Sequence, residues 1–106
     1  MQNIFDLHAV DFSNNEEIIE IVTQGKNIRI ERIISTGQTT PDDFWYDQAE
    51  NEFVMVLQGE ATILFEDNKE QFLQTGDYIN IPAHVKHRVT YTSSEPVCVW
   101  LAIFFS

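Results

Sequence analysis

From Asn27 onward, apolar residues recur with the period of a β-strand. Ile28, Ile30 and Ile34 alternate with Arg29, Glu31 and Ile33, and isoleucine is a good strand former. Glu52-Phe53-Val54-Met55-Val56-Leu57-Gln58 is a second run, stopped by Gly59, and Ala61-Thr62-Ile63-Leu64-Phe65 is a third. Asp67-Asn68-Lys69 reads as a hairpin turn into a short strand at Gln71-Phe72-Leu73. Thr75-Gly76-Asp77 is the next turn, Tyr78-Ile79-Asn80-Ile81 a strand ended by Pro82, and His87 to Thr92 alternates again. Ser93-Ser94-Glu95-Pro96 turns the chain into a last strand, Val97 to Phe105, apolar on both faces and so covered on both. Ahead of these runs, Ser13-Asn14-Asn15-Glu16 has capping-box spacing, and Ile18, Ile19 and Val22 fit a helical face. That predicts a short helix over 15–23 ended by Gly25. The expected layout is a lead-in over 1–26, helical or extended, followed by an all-β sandwich or barrel over 27–106.

Composition narrows the partners. The 106 residues suit one domain with one core, and 43% hydrophobic residues make that core attainable. Seventeen acidic against six basic residues give a net charge of -11, which repels nucleic acid and anionic membranes. Cys98 is the single cysteine and lies in the apolar run Val97–Leu101, so no internal disulfide or cysteine zinc cluster can form and an inert buried thiol is expected. The N-terminus lacks a basic, then apolar, leader pattern, and no segment approaches the length of a membrane span. A soluble cytoplasmic protein is expected.

Strand parity singles out the chemistry. Glu52, Val54 and Val56 share one face, Phe53, Met55 and Leu57 the other, and His87, Val89 and Tyr91 share a face of a later strand. With Glu52 and His87 both inward they meet among valines. A carboxylate and an imidazole in an apolar cavity must be paired, bound to metal or strongly shifted in pKa. The apolar face of Phe53, Met55 and Leu57 predicts a second core layer or a contact between two copies. On the isoleucine face of the first strand, Arg32 would point inward as an anion anchor, with Arg29 in solvent.

The segment Gly76 to Tyr91 resembles the second motif of the cupin family. Gly76 and Pro82 are spaced as in that motif, and His87 stands at its metal-binding histidine, while His84 replaces a motif glycine and Tyr91 its asparagine. Glu52, six residues and Gly59 match the end of the first motif. Its His-x-His is replaced by Trp45 and Asp47 if the spacer before Glu52 is four residues, or by Tyr46 and Gln48 if it is three. The resemblance covers about 27–105 and looks like the small single-domain bacterial cupins. It implies a double-stranded β-helix, or jelly-roll, barrel that forms a homodimer and holds a small polar or carboxylated molecule. It also implies a divalent metal (Mn²⁺, Fe²⁺, Zn²⁺ or Ni²⁺) on Asp47, Glu52 and His87, with His84 as an acid–base group and Trp45, Tyr46, Gln48 and Tyr91 around the substrate. Two readings of function follow. One is a metal-dependent oxygenase, isomerase or lyase; the other is a metal-free binding or sensing module for a sugar or acid. A purely structural protein would instead have a filled barrel.

Overall fold

The computed structural model describes residues 1–106. Every regular element is a strand: β1 Ile18–Gly25, β2 Ile28–Ser35, β3 Asn51–Gln58, β4 Glu60–Phe65, β5 Glu70–Gln74, β6 Tyr78–Ile81, β7 His87–Thr92 and β8 Cys98–Phe105. One sheet runs β1-β2-β8-β3-β6 and faces a second, β5-β4-β7; every pairing is antiparallel. The all-β barrel expected from the strand periodicity is therefore what the chain forms.

The predicted helix over 15–23 is not formed. Ile18, Ile19, Ile21 and Val22 are β-branched, which favours strand, and β2 offers a matched partner: Ile18 lies opposite Ile34 and Glu20 opposite Arg32. The apparent capping box is spent on local turns instead, with the Glu16 amide donating to Asn14 Oδ1 at 3.2 Å. The sheet thus begins at Ile18, inside the segment assigned to the lead-in.

The phase of β2 is also opposite to expectation. Arg29, Glu31 and Ile33 line the barrel interior. Arg32 faces out, where its Nε donates to Glu20 Oε1 at 2.6 Å and its Nη1 to the carbonyls of Ile4 and Asp6, tying the lead-in across the sheet. The isoleucine face of β2 continues the apolar outer face of β3 and β8, so its composition resembles core although it points away from the barrel axis.

Between the sheets lies a cluster of Val54, Val56, Ala61, Ile63, Leu73, Ile81, Cys98, Trp100, Ala102 and Phe104. Each of its large aliphatic side chains contributes roughly 1.5–3 kcal/mol by leaving water. Cys98 sits in this cluster with burial pushing its thiol pKa up to about 12, so it is inert packing. Trp100 donates its indole N–H to Ser35 Oγ at 3.2 Å, and Ser35 Oγ donates in turn to Glu17 Oε2 at 2.7 Å. That relay carries a polar connection from the core to the barrel mouth.

Candidate functional site

One half of the barrel interior is packed and the other holds a cavity of about 230 Å³. Its apolar wall comes from Val54, Ile63, Ile81, Val89, Trp100 and Phe104; its polar groups are Glu17, Arg29, Glu31, Tyr46, Gln48, Glu52 and His87. The barrel interior is therefore not filled.

The long connection between β2 and β3 forms part of the wall because it is stapled along β7. The Thr40 amide donates to the Val89 carbonyl at 2.9 Å, and Tyr46 and His87 exchange backbone bonds at 2.8 and 3.1 Å. Arg88 reinforces the staple by donating to the carbonyls of Thr40 and Asp42. Held this way, the Tyr46 ring stacks on the His87 imidazole, 5.6 Å between centroids. Burial, with the nearby charge of Glu17, raises the Tyr46 pKa and keeps its hydroxyl neutral.

Glu52 on β3 and His87 on β7 meet at the cavity wall, 9% and 5% exposed. His87 Nδ1 donates to the Val85 carbonyl at 2.9 Å, which turns Nε2 toward Glu52 Oε1 at 3.3 Å. The two are close enough for ion pairing, but they are not aligned for a hydrogen bond, and Oε1 has no hydrogen-bond partner. With Nδ1 carrying a proton, a neutral ring would aim a lone pair at a carboxylate, so a proton on Nε2 is the stable arrangement. Burial pushes the His87 pKa down, but Glu52 and the Val85 carbonyl outweigh it and the net direction is upward from 6.5.

The structure divides the other expected site residues. Tyr46 and Gln48 line the cavity; Asp47, between them, points the opposite way and pairs with His84 Nδ1 at 2.8 Å on the exposed rim. His84 has a left-handed backbone, φ 65°, at the place of the motif glycine, and neither His84 nor Asp47 lines the cavity. Trp45 lies under the Arg88 guanidinium, 5.7 Å from ring centre to Cζ. Tyr91 is turned out by a β-bulge: Thr62 pairs with Tyr91 but Ile63 with Val89, so one residue is extra and the parity shared by His87 and Val89 is lost beyond it. Tyr91 accordingly donates to Glu60 Oε1 at 3.0 Å on the surface. Glu17, Arg29 and Glu31 were not anticipated in the site. Arg29 and Glu31 could have been found by assigning the isoleucines of β2 to the outer face, since β3 and β8 already declared that face apolar.

The sequence profile described as Cupin domain matches residues 30–104. The chain belongs to the cupin domain family. The structure of a Ralstonia eutropha JMP134 protein, provisionally named a mannose-6-phosphate isomerase, is 38% identical, with TM-score 0.90 over 100% of this cupin and 97% of that chain. A cupin superfamily protein from Desulfitobacterium hafniense DCB-2 superposes with TM-score 0.74 at 20% identity, over 91% of this chain and 83% of that one. The Fe(II) form of HppE does so with TM-score 0.70 at 24% identity, over 84% of this chain but 50% of that one; both show the shared fold alone. No curated protein matches the sequence.

Members of this family often hold a metal, and the donor set tests whether this one fits. The first-motif places that face the cavity are Tyr46 and Gln48, so the three-residue spacer is the one the fold uses. One imidazole and one carboxylate remain, and no group of three or more His, Cys, Asp or Glu side chains is gathered anywhere. Protein sites for divalent ions usually supply at least three such ligands. Asp47, Glu52 and His87 are not brought together, and the Arg29 guanidinium shares the cavity. These residues do not fit the family's metal.

Proposed function

We propose that this cupin binds a small polar molecule inside its barrel and does so without a resident divalent metal. The observation that carries this reading is the cavity of about 230 Å³, in which Tyr46 and Gln48 occupy the places of the two motif histidines beside a self-paired Glu52 and His87. Cavities of this kind, apolar with a few convergent polar groups, are the usual form of small-molecule sites. The metal-dependent oxygenase, isomerase or lyase chemistry implied by the sequence resemblance would need ligands that this wall does not supply. Protein purified without a nickel column is expected to carry far less than one metal per chain. Added Mn²⁺, Fe²⁺, Zn²⁺ or Ni²⁺ is expected to leave Tm unchanged. A stoichiometric metal that disappears in the Glu52→Ala, His87→Ala double variant would overturn the proposal.

The same proposal places the protein in the cytoplasm as a homodimer, with neither nucleic acid nor membrane among its partners. The free buried thiol of Cys98 and the net charge of -11 support the setting and the partner set. No helix of the structure is long and apolar enough to cross a membrane. For the dimer, the support is the outer face of the five-stranded sheet, where Phe53, Met55, Leu57, Leu101 and Ile103 are only half-buried. Sedimentation at micromolar concentration is expected to give a dimer, and Leu101→Glu with Ile103→Glu a monomer. A monomeric wild-type protein would remove the dimer from the proposal.

A further inference from the structure

We propose that the molecule held in this cavity is a cation, a small organic amine, drawn in by Glu17, Glu31 and Glu52 and seated against the rings of Tyr46 and Trp100. The inference rests on reading the cavity as a small-molecule site and names the charge of what enters.

Three carboxylates line the cavity from separate parts of the chain without gathering on one point: Glu17 ahead of β1, Glu31 on β2 and Glu52 on β3. The wall holds one permanent cation, Arg29, and it already has two carboxylate partners and an aromatic face. Its Nε donates to Glu31 Oε2 at 2.8 Å, its Nη2 to Glu50 Oε1 at 3.3 Å, and its guanidinium lies 4.6 Å from the centre of the Phe104 ring. His87 is committed to Glu52. With the three carboxylates ionised, the wall is therefore net negative in either protonation state of His87. An anionic ligand would have to compete with Glu31 and Glu50 for Arg29, and Arg32, the anchor expected from sequence, points out of the barrel.

Two features point to a ligand rather than to a merely acidic wall. Glu52 is 9% exposed and lines the cavity, and neither of its oxygens accepts a hydrogen bond within the chain; Oε1 faces His87 Nε2 at 3.3 Å, which leaves Oε2 as the acceptor for whatever enters. Glu17 has no cationic partner and is held only by Ser35 Oγ at 2.7 Å. Burial raises its pKa, so its charged form is disfavoured in the empty cavity and a ligand cation beside it would stabilise that form. Arg29 against Phe104 already shows that this wall accepts a cation on an aromatic face.

The test is a matched series on the full chain: benzylamine, benzyl alcohol and benzoate, which share a ring and differ in charge. Backbone amide shifts would be followed at cavity residues such as Val54, Val89 and Trp100. Benzylamine is expected to bind at least about tenfold more tightly than benzoate, as charge-assisted hydrogen bonds require. Glu17→Gln is expected to weaken benzylamine binding about tenfold while the ligand-free Tm holds or rises, because a half-buried charge without a cationic partner is removed and the acceptor for Ser35 is kept. Glu70→Gln, the same charge change on exposed β5, is expected to leave binding unchanged. If benzoate or benzyl alcohol binds the cavity as tightly as benzylamine, the cation proposal falls and the binding site stands. If none of the three shifts the cavity residues, both fall. An equal loss of affinity in Glu17→Gln and Glu70→Gln would assign the effect to net charge and also overturn the proposal.

Discussion

Replacing Gly59 by alanine is expected to lower stability by about 3 kcal/mol and Tm by more than about 10 °C. Gly59 joins β3 to β4 with φ 81°, a left-handed conformation that costs a residue with Cβ roughly 1–2 kcal/mol. An added Cβ would also overlap Ser93 Oγ and stand 3.0 Å from the Val97 carbonyl oxygen and 3.1 Å from Cys98 Cα. The two backbone neighbours cannot swing aside, so the overlap adds about 1–3 kcal/mol of overpacking. Gly76 separates the two effects. Its φ is 91°, but a Cβ there would meet nothing within 4 Å, so Gly76→Ala is expected to show the conformational cost alone. Thermal melts of the two variants check this. Equal losses would mean that the close approach of the Ser93–Cys98 segment does not constrain Gly59.

These two glycines also show why the barrel was legible in the sequence. Each marks a turn between strands that needs a positive φ, and the alternating runs around them fix which residues turn inward. Parity placed Glu52, Val54, Val56, His87 and Val89 on the interior, where the structure has them. It failed where local pairing interrupts the period. The bulge opposite Ile63 turns Tyr91 outward, and nothing in Arg88-Val89-Thr90-Tyr91 marks which residue is the extra one. It failed again in β2, because both faces of that strand are partly apolar and the choice depends on what covers each sheet face. The strand in place of a helix at Ile18 has a similar cause: a short β-branched run satisfies either period, and the neighbouring strand decides.

The candidate site was legible at its centre and not at its edge. Glu52 and His87 follow from their motif positions, and strand parity agrees. Which of Trp45, Tyr46, Asp47 and Gln48 joins them depends on how the connection before β3 is stapled to β7, a tertiary fact carried by the bonds of Thr40, Tyr46 and Arg88. One residue of shift there exchanges Asp47 for Gln48, and with it a metal ligand for a neutral amide. Glu17 reaches the cavity through Ser35 and Trp100, partners far away in sequence, so no local pattern could assign it.

The pair at the centre supports the second large prediction. His87→Leu alone is expected to cost about 3–5 kcal/mol, since it leaves Glu52 buried opposite an apolar side chain. Glu52→Leu alone should cost less, because the imidazole can release its proton and keep its bond to Val85. The double variant is expected to lie within about 1 kcal/mol of wild type, as buried ion pairs replaced together by apolar groups often do. The pair also sets a pH dependence. Folding raises the His87 pKa above 6.5, so the folded state holds this proton more tightly than the unfolded chain. The stabilisation is then complete below about pH 6.5 and is lost as pH rises through the raised value. Glu17 has the same sign in a lower window, above 4.5, because burial raises its pKa too. Denaturation midpoints measured from about pH 6 to about pH 9 should therefore fall in wild type and flatten in the double variant. A wild-type midpoint that stays level or rises over that range, with additive single variants, would show that Glu52 and His87 are not an ion pair, and the cavity would then present two independent groups to its ligand.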